Sequence, residues 1–590
     1  MTGGSLALGT LFPAWAESGT AGLNPGIGTV SGADIALSIG HAPFRVGGRS
    51  GHAVTVNGTL PGPIIRLKEG QRVRLAVTNT LNEDSSIHWH GILLPFQMDG
   101  VPGVSFPGIK PGETYNYEFE VKQSGTYWYH SHSGGQEAMG QYGAIVIDPI
   151  APDPVAYDRE HVIVLSDWSF MHPMEQMRKL KAMGGYFNMQ KQTLAGQLAG
   201  KDQPASERAM WAKMRMDPTD ISDVSGSTYT YLINGHGPQE NWTGLFTPGE
   251  RVRLRIINAS AMTNFNVRLP DLPMTVVAAD GQNVVPVDTD EFQIAIAETY
   301  DVIVKMPLVQ GKAYGLIAEA IDRSGQCRAT LAPSVGMVAA IPPIRERPLL
   351  TMKDMGMGDM DMSGGSDHSA HGAAAPASDA MAGTDKSGGG DMAGMDMSAM
   401  SHDMGSMKMR DPSVAPQVKM GPGVATLSPM PMDRTGERPT GLEKVDHRVL
   451  TYRDLKSLNP NVDTRTPSRE LDLHLTANME RYMWSFDGEK FSENSTPIPF
   501  RHNERVRVNL INDTMMPHPI HIHGHFFEVV TGNPGRHPVK HTVNVLPGGK
   551  VSFDLTADAL GDWAFHCHML HHMMAGMFRV VTVRHGEDAA

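Results

Sequence analysis

The feature that most constrains how this chain can fold lies near its C-terminus: His566-Cys567-His568-Met569-Leu570-His571-His572-Met573-Met574-Ala575-Gly576-Met577. One thiol, several imidazoles and several thioethers crowd into a short stretch. Cysteine with a histidine and a methionine downstream supplies three ligand types of a blue-copper centre, which uses two His, one Cys and a weak axial Met. The second His must come from elsewhere, so the fold has to carry a distant segment to this one. In an extended chain side chains alternate faces, so His566 and His568 point one way and Cys567 the other. One metal can then sit on each side of the strand, linked covalently through it.

A buried cysteine in a metal-scavenging tail would also fit this stretch alone. Three further clusters argue against that: His88-Trp89-His90-Gly91, His130-Ser131-His132 and His518-Pro519-Ile520-His521-Ile522-His523-Gly524. The 39 Met and 26 His are both copper-binding types. With two cysteines no disulfide framework is possible, and once Cys567 binds metal, Cys327 is left as a packing residue. A net charge of -13 with no basic stripe argues against a nucleic-acid partner.

A length of 590 residues suggests several domains, and a repeat defines them. Arg72-Val73-Arg74-Leu75-Ala76-Val77-Thr78-Asn79 recurs as Arg251-Val252-Arg253-Leu254-Arg255-Ile256-Ile257-Asn258 and as Arg505-Val506-Arg507-Val508-Asn509-Leu510-Ile511-Asn512. Each is a strand closed by Asn, and short alternating strands between Gly/Pro turns surround them, so the chain reads as three copies of one all-β sandwich or barrel. We place the copies at 25–150, 151–350 and 441–590. Residues 1–24 read as the remnant of an export signal: 1–16 are uncharged and end in Ala14-Trp15-Ala16, while the basic leading region is missing, so the signal is expected to begin upstream. No later run is long and apolar enough for a membrane span.

The second gap between copies is about 75 residues longer than the first, and the excess is a Met/Gly/Asp/Ser/Ala segment at 351–440. Poor in aliphatic residues, it is expected to be a disordered linker. Its thioethers suit soft Cu(I), and its imidazoles accept Cu(II). The expected capture residues are Met355, Met357, Met360, Met362, Met395, Met397, Met400, Met404, Met407, His368, His371 and His402. A shorter insertion at 168–222 in the second copy is expected to be helical; its methionines, such as Met177 and Met210, read more readily as core filling than as a copper site.

The repeat also aligns the histidines. Gly125-Thr126-Tyr127-Trp128-Tyr129-His130-Ser131-His132 matches Gly561-Asp562-Trp563-Ala564-Phe565-His566-Cys567-His568. In that register Ser131 stands for Cys567, Gln136 for His572, Gln141 for Met577 and Ser85 for His518. The first copy keeps its HxH pairs and loses every mononuclear ligand. Four HxH pairs give eight imidazoles, which converge if the first and third copies meet about a pseudo-twofold axis. They suit three coppers: His88 and His521 on one, and His90, His130, His132, His523, His566 and His568 shared by a coupled pair. The middle copy, without HxH, is expected to be a spacer.

These four motifs resemble those of the three-domain multicopper oxidases, the laccase and ascorbate-oxidase family, and with its Met-rich insertion the chain is most similar to the periplasmic copper-resistance oxidases among them. The resemblance covers nearly the whole chain. It implies cupredoxin-like Greek-key domains, four copper ions, a type 1 copper at His518, Cys567, His572 and Met577, and a type 2/type 3 cluster at the eight imidazoles. It implies electron transfer from Cys567 through His566 and His568, with dioxygen reduced to two waters and no peroxide released. Asp99 stands where laccases hold an acid near the type 2 copper, as proton donor or orienter. The second acid that the family often has in its last motif is missing from Met569 to Ala575, and His525 and His571 read as supporting or surface residues. The expected reductant is Cu(I), in periplasmic copper resistance, with other copper-handling proteins there as partners. A laccase-like phenol oxidase is the alternative, and a copper-sequestering protein without catalysis is a third reading that would have no need of Cys567 and eight paired histidines.

Overall fold

In the computed structural model the described residues are 26–357 and 409–586. Each repeat is a pair of packed sheets: five and four strands in domain 1, six and five in domain 2, seven and five in domain 3. The repeated strand occupies the same place each time. Arg72–Asn79 lies parallel to Asp34–Val46 and antiparallel to Thr114–Glu120. Arg251–Asn258 and Arg505–Asn512 have one parallel and one antiparallel neighbour in the same way.

The closing Asn explains why this strand is repeated. In all three copies its side chain is buried. Asn79 Nδ2 donates to Glu83 O and Ile109 O, both at 2.8 Å, Asn258 Nδ2 to Thr263 O and Ile294 O, and Asn512 Nδ2 to Met516 O and Val545 O. Its Oδ1 accepts from the amide two residues on, that of Leu81, Ser260 or Thr514. The loop that leaves the strand turns inward, where no backbone partner is available. The amide side chain takes that partner's place.

Alternation along the strand sets the domain contacts. In domain 1, Val73, Leu75 and Val77 face the core and Arg72 and Arg74 face outward. In domain 2, Arg253, which aligns with Arg74, and Arg255, which aligns with Ala76, are instead buried and both paired with Asp301; Thr126 Oγ1 of domain 1 donates to Asp301 at 3.0 Å and accepts from Arg255 at 2.9 Å. Domains 2 and 3 share a continuous apolar core, and domain 1 has its own. Among the described residues no helix is long and apolar enough to cross a membrane.

The insertion holds three helices, Pro173–Ala182, Leu194–Leu198 and Ala205–Lys213. The first is capped by His172, whose ring accepts from the Met174 amide; Pro173 follows the cap, and Glu175 and the lysines complement the helix dipole. It buries Gln176, Met177 and Leu180 against domain 2.

The linker expectation is corrected at both ends. Met352–Met355 forms a 3-10 turn whose Met352 and Met355, with Met357, pack on Trp211, Ile221 and Met515. Residues from 409 onward are tied down by Ala415, Val418, Val424 and Leu427 and by the bond from the Leu427 amide to Met409 O. A few apolar anchors against an existing core offset the ordering entropy that composition alone left uncompensated. Met355 and Met357 are therefore buried and packed rather than part of a loose segment. Met360, Met362, Met395, Met397, Met400, Met404, Met407, His368, His371 and His402 lie outside the described residues, as does the expected export signal.

Candidate metal centres

The two HxH strands of domain 1 lie side by side, His88 opposite His130 and His90 opposite Trp128. Domain 3 repeats the arrangement with His521 opposite His566 and Ile520 opposite Cys567. The two pairs face each other across the domain seam. The His90 ring stacks on His521 at 3.8 Å and the His88 ring on His523 at 3.9 Å. His523 Nε2 lies 3.1 Å from His566 Nε2, and His130 and His568 approach to 4.9 Å between ring centroids. Possible ligand atoms lie within 4.8 Å of one another in the sets His88-His90-His521, His88-His132-His523 and His90-His130-His568. All eight imidazoles thus meet in one place, seven of them buried and His132 partly so.

Outward ring nitrogens are held by oxygens. His88 Nδ1 donates to Asp99 O at 2.7 Å, His521 Nδ1 to His541 O at 2.7 Å, His566 Nδ1 to Cys567 O at 2.9 Å and His523 Nδ1 to Asp99 Oδ2 at 2.8 Å. Such bonds fix the tautomer and leave the other nitrogen with a free lone pair. The inward atoms His88 Nε2, His130 Nε2, His132 Nε2, His521 Nε2 and His568 Nε2 have no hydrogen-bond partner despite burial. Burial, reinforced by neighbouring imidazoles, holds His90, His130, His132, His521, His523 and His568 well below the usual histidine range, and burial lowers His566 to about 4. Neutral nitrogens facing one another without protons to share are a poor hydrogen-bond network and a good metal donor set.

On the other face of the strand, Cys567 Sγ lies 3.5 Å from His518 Nδ1 and 3.8 Å from His572 Nδ1, and those two nitrogens are 3.3 Å apart. The far edges are held: His518 Nε2 by Thr514 Oγ1 at 2.8 Å and His572 Nε2 by Asp223 Oδ2 at 2.7 Å. Trp484 stacks on His572 at 3.6 Å. Burial pushes the Cys567 thiol up, so a thiolate there needs a cation to stabilise it. Leu570–Ala575 is a single helical turn that brings His572 back to Cys567. The loop closes through Met577, whose amide donates to His572 O and whose carbonyl accepts from the Cys567 amide. The Met577 side chain is buried beside them.

The four domain 1 positions aligned with the mononuclear ligands also converge, without metal ligands. Ser85 Oγ donates to Gln136 Oε1 at 2.7 Å and to Gln141 Oε1 at 3.2 Å, and Ser131 Oγ to Gln136 Oε1 at 3.1 Å, all buried. Hydrogen bonds occupy the place that the sulfur-centred set has in domain 3.

Asp99 closes the short turn Phe96–Met98 and bridges the domains, touching His88 of one and His523 of the other. The following Gly100 has φ +85°, and a Cβ there would fall on Ile87 O. His525 and His571 are both buried rather than on the surface. His525 Nδ1 donates to His523 O, and His571 Nε2 lies 3.0 Å from Gln176 Oε1 on the inserted helix.

Sequence reasoning missed four groups. Glu137 is buried with Oε2 2.9 Å from His130 Nδ1 and Oε1 without a hydrogen bond, and burial raises its carboxyl well above the usual range. An acid is thus present, donated by domain 1 rather than by the last motif. Asp223 and Asp280 come from domain 2, which is therefore no passive spacer, and burial raises Asp223 to about 6. His541 is a ninth imidazole, packed 4.7 Å from His90. The nearest sequence signal was Glu137 lying within the aligned 130–141 stretch.

Three family models described as multicopper oxidase match residues 40–152, 159–336 and 464–587. Copper resistance protein A of Escherichia coli is 49% identical over 585 residues, covering 95% of this chain and 94% of that protein. Copper resistance protein A of Pseudomonas syringae pv. tomato is 48% identical over 614 residues, covering 97% and 95%. Among solved structures, Fet3p, a multicopper oxidase that functions in iron import, superposes with a TM-score of 0.63 at 18% identity, covering 94% of this chain and 90% of that one. The laccase from Botrytis aclada gives 0.60 at 20% identity, covering 94% and 88%.

Proposed function

This chain belongs to the multicopper oxidase family, and from that premise we propose that it couples one-electron oxidation of Cu(I) to the four-electron reduction of dioxygen to water, in copper resistance. In this reading His518, Cys567, His572 and Met577 hold the type 1 copper, and His88 and His521 the type 2 copper. The type 3 pair divides into His90-His130-His568 and His132-His523-His566. Once bound, the four coppers supply a single-electron entry site and, about one strand away, a store that delivers four electrons to dioxygen.

The chain's own residues do the rest. Cys567 is bonded through its backbone to His566 and His568, so the route between the two sites is covalent and short. Asp99 holds the His88 and His523 rings from opposite domains and so fixes the gap between them. Glu137, whose carboxyl burial raises well above the usual range, stands beside His130 with one oxygen free of hydrogen bonds, which suits it to hold or pass a proton there. Asp223 orients His572 and is itself held by Tyr482 Oη at 2.6 Å.

The observation that favours Cu(I) is what covers the type 1 ligands. His518 and His572 are fully buried, with Thr514 and Asp223 on their outer edges, so a phenol has no ring edge to approach. A cavity of about 570 Å³ instead includes Thr514 in its wall and is lined by Met183, Met214, Met216, Met479 and Met515, with Asp220, Glu480 paired to Arg215, and Arg410 and Arg481. Thioethers and carboxylates suit a soft cation that becomes harder on oxidation. Met357 and Met409, which flank 358–408, belong to the same methionine cluster. Export to the periplasm is part of the proposal and rests on the Ala14-Trp15-Ala16 pattern.

Oxygen uptake with Cu(I) and with a phenol tests this reading on the intact chain, on a Met479→Leu/Met515→Leu variant, whose volume is conserved, and on a chain lacking 358–408. The double variant should raise KM for Cu(I) about tenfold or more and leave phenol turnover alone. Equal effects on both reductants would remove Cu(I) as the favoured substrate. Unchanged Cu(I) turnover and copper binding in the deletion would remove 358–408 from the delivery route.

A further inference from the structure

The hairpin between strands Met274–Ala279 and Gln282–Thr289 of domain 2 ends at the junction of all three domains. Its two tip residues, Asp280 at φ +49° and Gly281 at φ +74°, are both left-handed, as a tight two-residue turn requires. On one side the tip meets domain 1. A Cβ on Gly281 would lie 2.2 Å from the Tyr127 ring, and one on Gly125 would lie 2.3 Å from Gly281 O, so the backbones touch where the His130 strand begins. Gln282 Nε2 adds a bond to Tyr127 Oη at 3.1 Å.

On the other side the tip meets domain 3. Asp280 Oδ2 pairs with the Lys540 ammonium, Nζ lying 3.0 Å away, and accepts from the amides of His541 and Thr542, both at 3.2 Å, while Oδ1 accepts from the Thr299 amide at 3.1 Å. One carboxylate therefore fixes the connection between strands Val539–Lys540 and Thr542–Val545. That connection reaches the histidine cluster directly. The His541 carbonyl accepts from His521 Nδ1 at 2.7 Å, and Thr542 Oγ1 lies 3.3 Å from both His521 Nδ1 and His90 Nε2.

Asp280 and Lys540 are fully buried, with Glu298 3.1 Å from the ammonium. Buried charges of this kind are weak contributors to stability, and apolar residues of equal volume often do better. A carboxylate that accepts from three backbone amides does something an apolar residue cannot: it fixes two consecutive ones, those of His541 and Thr542, in direction.

We propose that Asp280 is a positioning residue for the type 2 copper, holding the Lys540–Thr542 connection so that the His541 carbonyl sets the His521 ring opposite His88. This rests on the reading of His88 and His521 as the ligands of that copper. Domain 2 thus supplies no copper ligand but sets how the two halves of the ligand cage face each other.

The test uses the full-length, copper-loaded protein. Asp280→Ala should weaken type 2 copper binding about 10- to 100-fold, the usual effect of removing a group that supports a metal ligand. Metal analysis after dialysis should fall from four coppers toward three, and the type 2 electron paramagnetic resonance signal should shift or vanish. The blue absorption and its anaerobic reduction by Cu(I) should stay as in wild type. Asp280→Asn keeps one acceptor oxygen and tolerates the left-handed backbone, so its affinity should fall between the two. Should Asp280→Ala fail to fold, Asp280→Asn carries the test, and wild-type affinity in it overturns the proposal. Four coppers with an unaltered type 2 signal in Asp280→Ala also overturn it, as does equal loss from the type 1 site. His88→Ala and His521→Ala separate the two readings. If they keep the type 2 signal, the ligand assignment is wrong; if they abolish it while Asp280→Ala does not, the ligands stand and the positioning role falls.

Discussion

Removing the closing Asn of the repeat offers a sharp test of how the fold serves the type 1 site. In Asn258→Ala, in the domain without copper ligands, the carbonyls of Thr263 and Ile294 lose a donor and the Ser260 amide loses its acceptor. Three buried hydrogen bonds at about 1 kcal/mol each, with one amide stranded, give a loss of about 3–4 kcal/mol. For a domain of this size that is a fall in unfolding temperature of roughly 6–16 °C. Asn512→Ala removes the matching bonds in domain 3, together with the one from Thr514 Oγ1 to Asn512 Oδ1 at 2.9 Å. It should cost a similar amount, but with a second effect, because Thr514 Oγ1 is also the partner of His518 Nε2. Calorimetry of the copper-free protein reads the first quantity and visible absorption of the loaded protein the second. The expected pattern is two destabilised variants, of which only Asn512→Ala has a shifted blue band. An Asn258→Ala variant that unfolds at the wild-type temperature, or an Asn512→Ala variant with an unchanged band, would refute the reasoning.

Cys567→Ser should abolish the blue absorption and oxidase turnover while circular dichroism of the copper-free protein stays unchanged; retained turnover would remove the thiolate from the electron path. Asp99→Ala takes the carboxylate from His523 Nδ1 while leaving the Asp99 carbonyl on His88, and should lower oxygen turnover about 100-fold, with anaerobic type 1 reduction by Cu(I) unaffected in stopped-flow. Glu137→Gln conserves size and an acceptor oxygen beside His130, so copper content should remain at four per chain, whereas Glu137→Ala should lose type 3 copper on dialysis. Burial raises Asp487 from 3.8 to about 6. Its contribution to stability is therefore full below about pH 4 and is lost as pH rises through 6. Asp487→Asn, which does not titrate, should gain on wild type across that window by up to about 1.4 kcal/mol per pH unit, read from urea midpoints at pH 4 and pH 7.

Much of this protein was legible in its sequence because the information was local and repeated. The Arg-Val-Arg strand closed by Asn gave three copies of one sandwich, and its side-chain bonds show why the Asn recurs. The register that set Ser85, Ser131, Gln136 and Gln141 against His518, Cys567, His572 and Met577 corresponds to four side chains that meet in space. The linker was overdrawn because composition averages over a segment. It cannot register that Leu427 or Met355 finds a waiting apolar partner.

What the sequence determined by itself was which imidazoles and which thiol the fold gathers and how many times the domain recurs, since HxH pairs, the thiol and strand alternation are properties of neighbouring residues. What only the tertiary structure decided was which groups support them. Glu137, Asp223, Asp280 and His541 carry no periodicity or motif that marks them. The two aspartates acquire their roles by crossing a seam: Asp223 reaches His572 from 349 positions away and Asp280 the His541 amide from 261. Distances of that kind are set by how whole sheets pack, and packing depends on every buried surface at once.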